Sequence, residues 1–358
     1  MHLYTIGGDA LDYINAIPIR SPIYPLLIKI FGLNGTVIIQ TLLLVFSAWL
    51  LQKKFGKWSL LPLLLPLWGA IPFFNFYIPN CREIMTETLA LAIFYFTLYA
   101  VMSVQHIKAS VFAALNLLVR SQMVFVIAAY GLYLIFLTKE PLRRRIKLIA
   151  ILALCTAGAM LCDMTYHKIA HGRFKMTSMA NMDFAAETLY FAGKDKVSQQ
   201  ISPELAQSLD DDQMYASYRN KVQYYTENMS YKEHMQKKTS PLLFQKMIPF
   251  ARKQHPELDE TAFWYYMDRW SAEINSRLWD NKSLFKATSI KLFYYFFPYP
   301  ALLLILLWRR ERLTVLLCLM NALTIAPILD FWFRFMIYTD ILLMCCVLKF
   351  MLPPERTE

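Results

Sequence analysis

A small set of ionisable side chains lies inside or directly beside long apolar segments of the sequence. An ionisable group at membrane depth costs about 2.5–3.5 kcal/mol on insertion scales, so each one needs a reason to be there. Taken singly, each is also compatible with an interfacial charge or a structural ion pair. Taken together, they predict a polar cavity just below one surface of a membrane bundle. The set comprises Glu83, Glu87, Arg120, Asp163, Asp330 and Arg334, with Asp340 deeper in the last apolar segment.

The opening stretch GGDALDYINAIPIRSPIYPLL, residues 7–27, adds two carboxylates, Asp9 and Asp12, ahead of Arg20. Its prolines fix φ and remove amide donors, which limits regular helix. We therefore expect an irregular loop that lies at the same surface as the ionisable set and steers the chain back to the membrane.

The composition predicts a polytopic membrane protein. The chain has 358 residues, of which 57% are hydrophobic and only 18% are charged. A helix needs about 20 apolar residues to cross a bilayer core of about 30 Å. The net charge of +11 is spread in short basic clusters between apolar runs, which argues against nucleic-acid binding. Full-length spans are expected at Leu33–Leu51, Ser59–Ile78, Ile84–Val104, Ile146–Met164, Ile290–Trp308, Leu313–Leu329 and Phe331–Phe350.

The run from Lys108 to Thr138 is too long for one untilted span and short for two. We predict a re-entrant or paired hairpin with Arg120 at its apex.

The basic clusters predict one orientation for every span. They fall on a single side of the membrane if the hairpin crosses and returns, and the positive-inside rule makes that side cytoplasmic. The result is nine crossings with the N-terminus outside, which leads us to expect either a missing first span or translocation of a short acidic tail. The clusters are QKKFGK at 52–57, QHIK at 105–108, KEPLRRRIK at 139–147 and RRER at 309–312.

Three regions are predicted: an N-terminal membrane bundle at 1–164 with its aspartate loop at 1–30, an extracytoplasmic helical cap at 165–289, and C-terminal transmembrane helices at 290–358. In the cap, Ser202 followed by Pro203 predicts a helix start. One helical face there either closes over the bundle, lies on the lipid surface or packs within the cap. That face consists of Phe263, Met267, Trp270, Ile274 and Leu278.

Asp163, His167 and His171 follow one another at steps of four residues, which places them on one face of a helix. Carboxylate and imidazole suit zinc or a similar ion. Polar capping of a helix that leaves the membrane is the competing interpretation. We therefore assign no metal site, keep these three residues as weak candidates and leave the requirement for a divalent metal open.

Several motifs, in order, resemble the GT-C superfamily of glycosyltransferases that use polyprenyl-phosphate sugars. The similarity is greatest to the ArnT-like and PMT-like bacterial branch, labelled glycosyltransferase family 39 or RgtA/B/C/D-like. It covers roughly residues 1–180 and 290–350. The motifs are GGDALDYINA with RSPIYPLLIKIFG, IMTETLALAIFYF with Glu87, LNLLVRSQMVFVIAAYGLYLIFL with Arg120, YHKIAHGRFKMTS, and FWFRFMIYTDILL with Arg334.

The resemblance implies an enzyme of the bacterial inner membrane whose active site faces the periplasm or exterior. An acceptor hydroxyl attacks the anomeric carbon of a lipid-linked sugar, and Asp9, with Asp12 as the fallback, takes the hydroxyl proton as general base. Arg120, Arg334 and Arg20 would stabilise the leaving polyprenyl phosphate, and Glu87 would orient a loop or a substrate. Tyr24 and Glu83 complete the expected substrate-binding set.

No nucleotide sugar or other cofactor is required, which fits a sequence without a phosphate-binding loop. The expected partners are membrane lipids, the lipid-linked donor and a glycan, lipid or protein acceptor. Two departures from the family pattern keep an inactive homologue open: Asp9 follows Met1 without a preceding helix, and Ser121 replaces the proline after the hairpin arginine. A transporter or lipid flippase is the alternative from a different functional class, and a non-catalytic membrane scaffold with the cap as a docking module is the third.

Overall fold

A computed structural model describes residues 3–5, 10–68, 81–176, 180–192, 194–210, 242–279, 306–307, 311–325 and 333–351. These residues are mostly α-helical and contain no strand, so the all-α class is confirmed for them. The helices are α1 Ala10–Ile14, α2 Ile23–Phe55, α3 Leu60–Leu63, α4 Leu65–Trp68, α5 Thr86–Met102, α6 His106–Val119, α7 Val124–Leu132, α8 Leu142–His171, α9 Ala180–Ala192, α10 Lys194–Gln200, α11 Pro203–Asp210, α12 Ile248–Gln254, α13 Glu260–Leu278, α14 Arg312–Ile325 and α15 Phe333–Met351.

Two of these helices, α2 and α8, are long and apolar enough to cross a membrane. Helix α2 has 33 residues and is kinked at Gly32, where φ is +67°. That backbone conformation is accessible to glycine at little cost, because glycine has no Cβ. The segment after the kink contains the predicted span 33–51, and α8, with 30 residues, contains the predicted span 146–164.

Prolines account for two differences from the expected elements. The predicted span 59–78 is interrupted at Leu64, between α3 and α4, because Pro66 has no amide hydrogen to donate within a helix. The rest of that span lies outside the described residues, as does most of the predicted span 290–308. In the opening stretch, α2 begins ahead of Pro25, which is tolerated because amides of the first turn have no helical acceptor.

The predicted hairpin at Arg120 is confirmed. Helix α6 ends at Val119, Arg120 is extended with φ −154° and ψ 119°, and the chain continues through a short 3-10 turn into α7. The phenol oxygen of Tyr130 lies 3.0 Å from Nδ1 of His106, so the second arm runs back along the first. Each arm is roughly 20 Å long at 1.5 Å per residue, which is short of a full bilayer core.

Helix α5 is the centre of the bundle. It is buried on most of its surface, including the side chains of Thr86 and Glu87 in its first turn. Its apolar residues pack in one cluster with α2, α7, α14 and α15. Because so few positions of α5 face outward, its polar side chains depend on partners supplied by neighbouring helices.

The cap has its own hydrophobic core, and the opening stretch contributes to it. Ile17 and Ile19 pack among apolar residues of α9, α12 and α13, whereas Ala10 and Tyr13 belong to the bundle core. The stretch therefore joins two cores through side chains only a few positions apart. The predicted face of α13 packs inside this cap core. The predicted helix start at Ser202 is confirmed, since its hydroxyl accepts the Leu205 amide at 3.2 Å.

The basic clusters meet at the end of the bundle away from the hairpin apex. Phe55, Lys139 and Arg312 line one cavity there. Glu140 lies 3.9 Å from Nε2 of His106, at the start of the hairpin. Each of the four basic clusters therefore has at least one residue at this end of the bundle.

The position of Ile19 gives a test of the link between the opening stretch and the cap. Ile19→Ala removes a 5% exposed side chain from the cap core, so we expect a loss of about 2–5 kcal/mol. The measurement is the unfolding midpoint of the purified protein in detergent, with proteolysis at Arg20 as a local readout. Leu11→Ala, at a 57% exposed position, is the control. Equal unfolding midpoints for the two variants would show that the packing of Ile19 in the cap core does not stabilise the protein.

Candidate functional site

Arg120 stands at the point where the two arms of the hairpin meet. Its amide closes α6 by donating to the Asn116 carbonyl at 3.0 Å, and its own carbonyl accepts the Met123 amide at 3.0 Å. The extended backbone at this residue directs the chain out of one helix and into the next. The guanidinium is thus attached to a backbone position that is fixed on both sides.

The buried partners of Arg120 come from the first turn of α5. Nη1 of Arg120 lies 2.9 Å from Oε1 of Glu87, whose side chain is fully buried, while the arginine side chain is 11% exposed. The same nitrogen donates to Oγ1 of Thr86 at 3.0 Å. A buried ion pair depends on its geometry and on the hydrogen bonds around it, which here are those that Arg120 donates to Thr86 and Gln122. It fixes the hairpin apex against the start of α5.

The opening stretch reaches the same turn of α5. The Tyr13 hydroxyl lies 3.1 Å from Oγ1 of Thr86, and the Arg20 guanidinium carbon lies 5.0 Å from the centre of the Tyr13 ring. Nε of Arg20 donates to Oδ2 of Asp12 at 3.1 Å, and a second Arg20 nitrogen contacts the same oxygen. Through Tyr13 and Thr86, the Asp12–Arg20 pair is therefore connected to Arg120.

Tyr24 and Glu83 enter this site as supporting residues. The buried Tyr24 hydroxyl donates to Oε1 of Gln40 at 2.9 Å, and Nε2 of Gln40 donates to the Glu83 carbonyl at 3.0 Å. The Tyr24 ring meets the Tyr13 ring edge-on at 5.2 Å between centroids. Thr5, which precedes the opening stretch in sequence, bridges to Glu83 in the parallel sense and so contacts the turn before α5.

A further chain of polar contacts runs from the apex into the last two helices. Nε of Arg120 donates to Oε1 of Gln122 at 3.0 Å, and Nε2 of Gln122 donates to Oδ1 of Asn321 at 3.3 Å. Asn321 in turn donates to Oγ1 of Thr339 at 3.2 Å. We call the connected set from Asp12 to Thr339 the apex network. It brings together the predicted residues Asp12, Arg20, Tyr24, Glu87 and Arg120, and the backbone carbonyl of Glu83, with the uncharged residues Tyr13, Gln40, Thr86, Gln122, Asn321 and Thr339.

Three predicted residues fall outside the parts of the chain that the structure describes. Asp9 and Asp330 are among the residues not described, and the side chain of Arg334, near the start of α15, is not described either. Asp9 directly precedes Ala10, which is fully buried in the bundle core. Asn321 on α14 and Thr339 on α15, the helix that contains Arg334, both belong to the apex network.

Asp163, His167 and His171 do lie on one face near the end of α8. Nε2 of His167 is 3.5 Å from Oδ1 of Asp163, and the His167 and His171 rings stack at 5.3 Å. Within the described ranges, however, no group of three or more His, Cys, Asp or Glu side chains is arranged to hold a metal ion.

The end of α8 lies next to the cap. Burial raises the pKa of Tyr265 on α13, with Arg173 opposing this rise and Asp163 adding to it. Arg173 also lies 5.8 Å from the centre of the Tyr265 ring, and Lys175 pairs with Asp268. These contacts favour a role for this region in holding the cap against α8.

The sequence reasoning missed the uncharged members of the apex network because it searched for ionisable groups alone. Gln40 and Asn321 are both fully shielded from solvent, and each interrupts an otherwise apolar helix. A buried amide needs hydrogen-bond partners, so an isolated amide in an apolar run was the available signal. Thr86 gave a weaker signal, because threonine is common in apolar helices and bonds to its own backbone.

The apex network supplies two positioned guanidinium groups at the same end of an apolar helical bundle. Arg20 is positioned by Asp12, and Arg120 is positioned by Glu87, Thr86 and Gln122. Guanidinium groups bind phosphate through several donors at once, and fixed cations stabilise negative charge that develops in a reaction. Each guanidinium is also paired with a carboxylate, Arg20 with Asp12 and Arg120 with Glu87, so a phosphate bound here would share these cations with the two acidic side chains.

No protein-family model, curated protein or solved structure matches this chain.

The buried pair at the apex can be tested by breaking it on one side and then on both. Arg120→Gln leaves the Glu87 carboxylate buried without its cation, for which we expect a loss of about 3–5 kcal/mol. The double variant Glu87→Gln with Arg120→Gln removes both charges and should recover much of that loss. Thermal unfolding in detergent measures both.

The control for this pair is Arg144→Gln, because Arg144 pairs with Glu140 at 3.1 Å but is 59% exposed. An exposed pair of this kind contributes about 0–1 kcal/mol. If Arg120→Gln is as mild as Arg144→Gln, the apex pair does not hold the hairpin.

Proposed function

We propose that this chain is an integral-membrane glycosyltransferase that moves a sugar from a polyprenyl-phosphate donor to an acceptor on the outer face of a bacterial cytoplasmic membrane. The observation that carries the proposal is the apex network, in which the acidic opening stretch and the buried Glu87–Arg120 pair share the hydroxyl of Thr86. The resemblance of the same stretches to the GT-C superfamily supports this assignment.

The outward faces of the two long helices support a membrane location. Leu42 on α2 is 64% exposed, and Leu154 on α8 is 72% exposed, although both helices also present a buried face to the bundle. A helix that is apolar on all sides is typical of a protein core or a membrane span. We extend the same interpretation to the shorter apolar helices, which gives a polytopic bundle with the cap outside.

In the proposed reaction, an acceptor hydroxyl attacks the anomeric carbon of the lipid-linked sugar. The bond between that carbon and the phosphate oxygen breaks, and the polyprenyl phosphate leaves with the bonding electrons. Arg120 and Arg20 stabilise the negative charge on the departing phosphate. Arg334 is retained from the family resemblance as a third cation.

Asp9 is assigned as the general base that takes the acceptor proton. Oδ2 of Asp12 accepts a hydrogen bond from Arg20, so we assign Asp12 the role of positioning Arg20. No cofactor is required, because the phosphate ester already activates the sugar. The acceptor is a glycan, a lipid or a protein, and the cap is the region that would select it.

A lipid flippase is the second candidate, and the broken helix at Arg120 favours it. Discontinuous helices with a charged residue at the break are typical of transporter binding sites. A flippase moves its substrate without changing it, whereas a transferase separates the sugar from the lipid phosphate. The chemical state of the lipid after incubation therefore distinguishes the two.

The transfer reaction is tested with the purified protein in nanodiscs that contain polyprenyl-phosphate hexose or pentose, supplied with an envelope extract as acceptor. We expect the release of free polyprenyl phosphate, measured by mass spectrometry. Asp9→Asn should lower this rate by about 10²–10⁴-fold, while Asp195→Asn, at an exposed cap position, should leave it unchanged. Release by Asp9→Asn at the wild-type rate would remove Asp9 from the role of base, and intact donor throughout would favour the flippase or an inactive homologue.

The proposed orientation is tested with alkaline phosphatase, which is active only outside the cytoplasm. A fusion after Lys57, in the basic cluster that follows α2, should be inactive. A fusion after Gly172, at the end of α8, should be active. Equal activity of the two fusions would rule out opposite sides for these ends.

A further inference from the structure

A cavity of about 370 Å³ opens at the basic end of the bundle, away from the apex network. It lies where α2 and α5 end, where the hairpin returns and where α14 begins. Its volume is within the range of about 300–1,000 Å³ that small-molecule sites occupy. Most of its lining is apolar and comes from Phe55, Leu98, Val101, Met102, Leu137, Leu313, Leu317 and Leu342.

The charged part of the lining is positive on balance. Lys139 and Arg312 both line the cavity and are exposed, and neither forms an ion pair with another residue that the structure describes. Among the described lining residues, Glu311 is the one carboxylate, and it is neutralised by Lys349, whose Nζ lies 2.7 Å from its Oε1. Lys139 and Arg312 are therefore the two cations that can contact a molecule bound in the cavity.

We infer that this cavity binds an anionic diacyl phospholipid, with its phosphate at Lys139 and Arg312 and part of an acyl chain against the apolar wall. Basic pockets between membrane helices recognise anionic headgroups on the side where basic clusters gather. Leu98 and Leu317 are 3% and 2% exposed, so the wall is continuous with the bundle core. Polar contacts at the mouth and an apolar interior match an amphiphile better than a soluble anion.

This inference rests on the membrane orientation proposed above and not on sugar transfer. A bound lipid at this position would brace the hairpin arm that ends near Lys139 against the start of α14. It would therefore link the stability of the hairpin, and hence of Arg120 at its other end, to the lipid composition of the membrane.

The test uses the full chain in nanodiscs of phosphatidylcholine with increasing phosphatidylglycerol, followed by native mass spectrometry for retained lipid. We expect one tightly held phosphatidylglycerol per protein. The double variant Lys139→Gln with Arg312→Gln should bind it about 30-fold more weakly, from the loss of two cations near the headgroup.

The matched control is Lys108→Gln with Arg143→Gln. It removes the same charge from exposed positions at the same end of the bundle, outside the cavity lining, and should retain the lipid within about twofold of the wild type. An equal loss in both double variants would mean general surface attraction and would overturn the inference.

Competition experiments separate the sources of the phosphate. Phosphatidylcholine and inorganic phosphate should fail to displace phosphatidylglycerol, the first for lack of net charge and the second for lack of a chain. Displacement of phosphatidylglycerol by either compound would contradict the proposed occupant. Tighter binding of polyprenyl phosphate than of phosphatidylglycerol at this site would contradict it as well. Because sugar release is measured separately, a failed lipid result leaves the transferase proposal unaffected, and a failed transfer result leaves the lipid site unaffected.

Discussion

The buried ion pair between Glu87 and Arg120 is the contact on which the polar end of the bundle depends. A carboxylate without a partner in this apolar environment would be strongly disfavoured, so the start of α5 and the hairpin apex must stay together. Once they do, Thr86 is held where it meets both Arg120 and Tyr13. One charge pair thereby determines the relative positions of three segments that are distant in sequence.

The opening stretch transmits this arrangement to the cap. Tyr13 packs in the bundle core, while Ile17 and Ile19 pack in the cap core. The side chain of Arg20 donates a hydrogen bond back to Asp12, which precedes Tyr13. A movement of the cap would therefore displace Tyr13 and Arg20, which lie beside the proposed site. The packing therefore couples the position of the cap to that of the opening stretch.

The sequence predicted the charged framework better than the details. Arg120 could be identified from the sequence because its charge interrupts an apolar run. The basic clusters indicated one common end of the bundle because they follow every second predicted span, with the hairpin counted as two. The break at Leu64 and the burial of Gln40 were missed. The opening stretch is divided between two cores, with Tyr13 in the bundle core and Ile17 and Ile19 in the cap core. This division arises from tertiary contacts and cannot be read from a local sequence period. Partner choice among uncharged polar groups likewise depends on which helices meet.

We propose that the apex network binds the phosphate of a polyprenyl carrier. The most direct measurement is photo-crosslinking of the full-length protein in nanodiscs with a photoreactive polyprenyl phosphate, followed by peptide mapping. The account predicts labelled peptides from residues 10–24 and 116–124. Labelling confined to the cavity at the basic end, on peptides from residues 98–102 and 311–317, would contradict it.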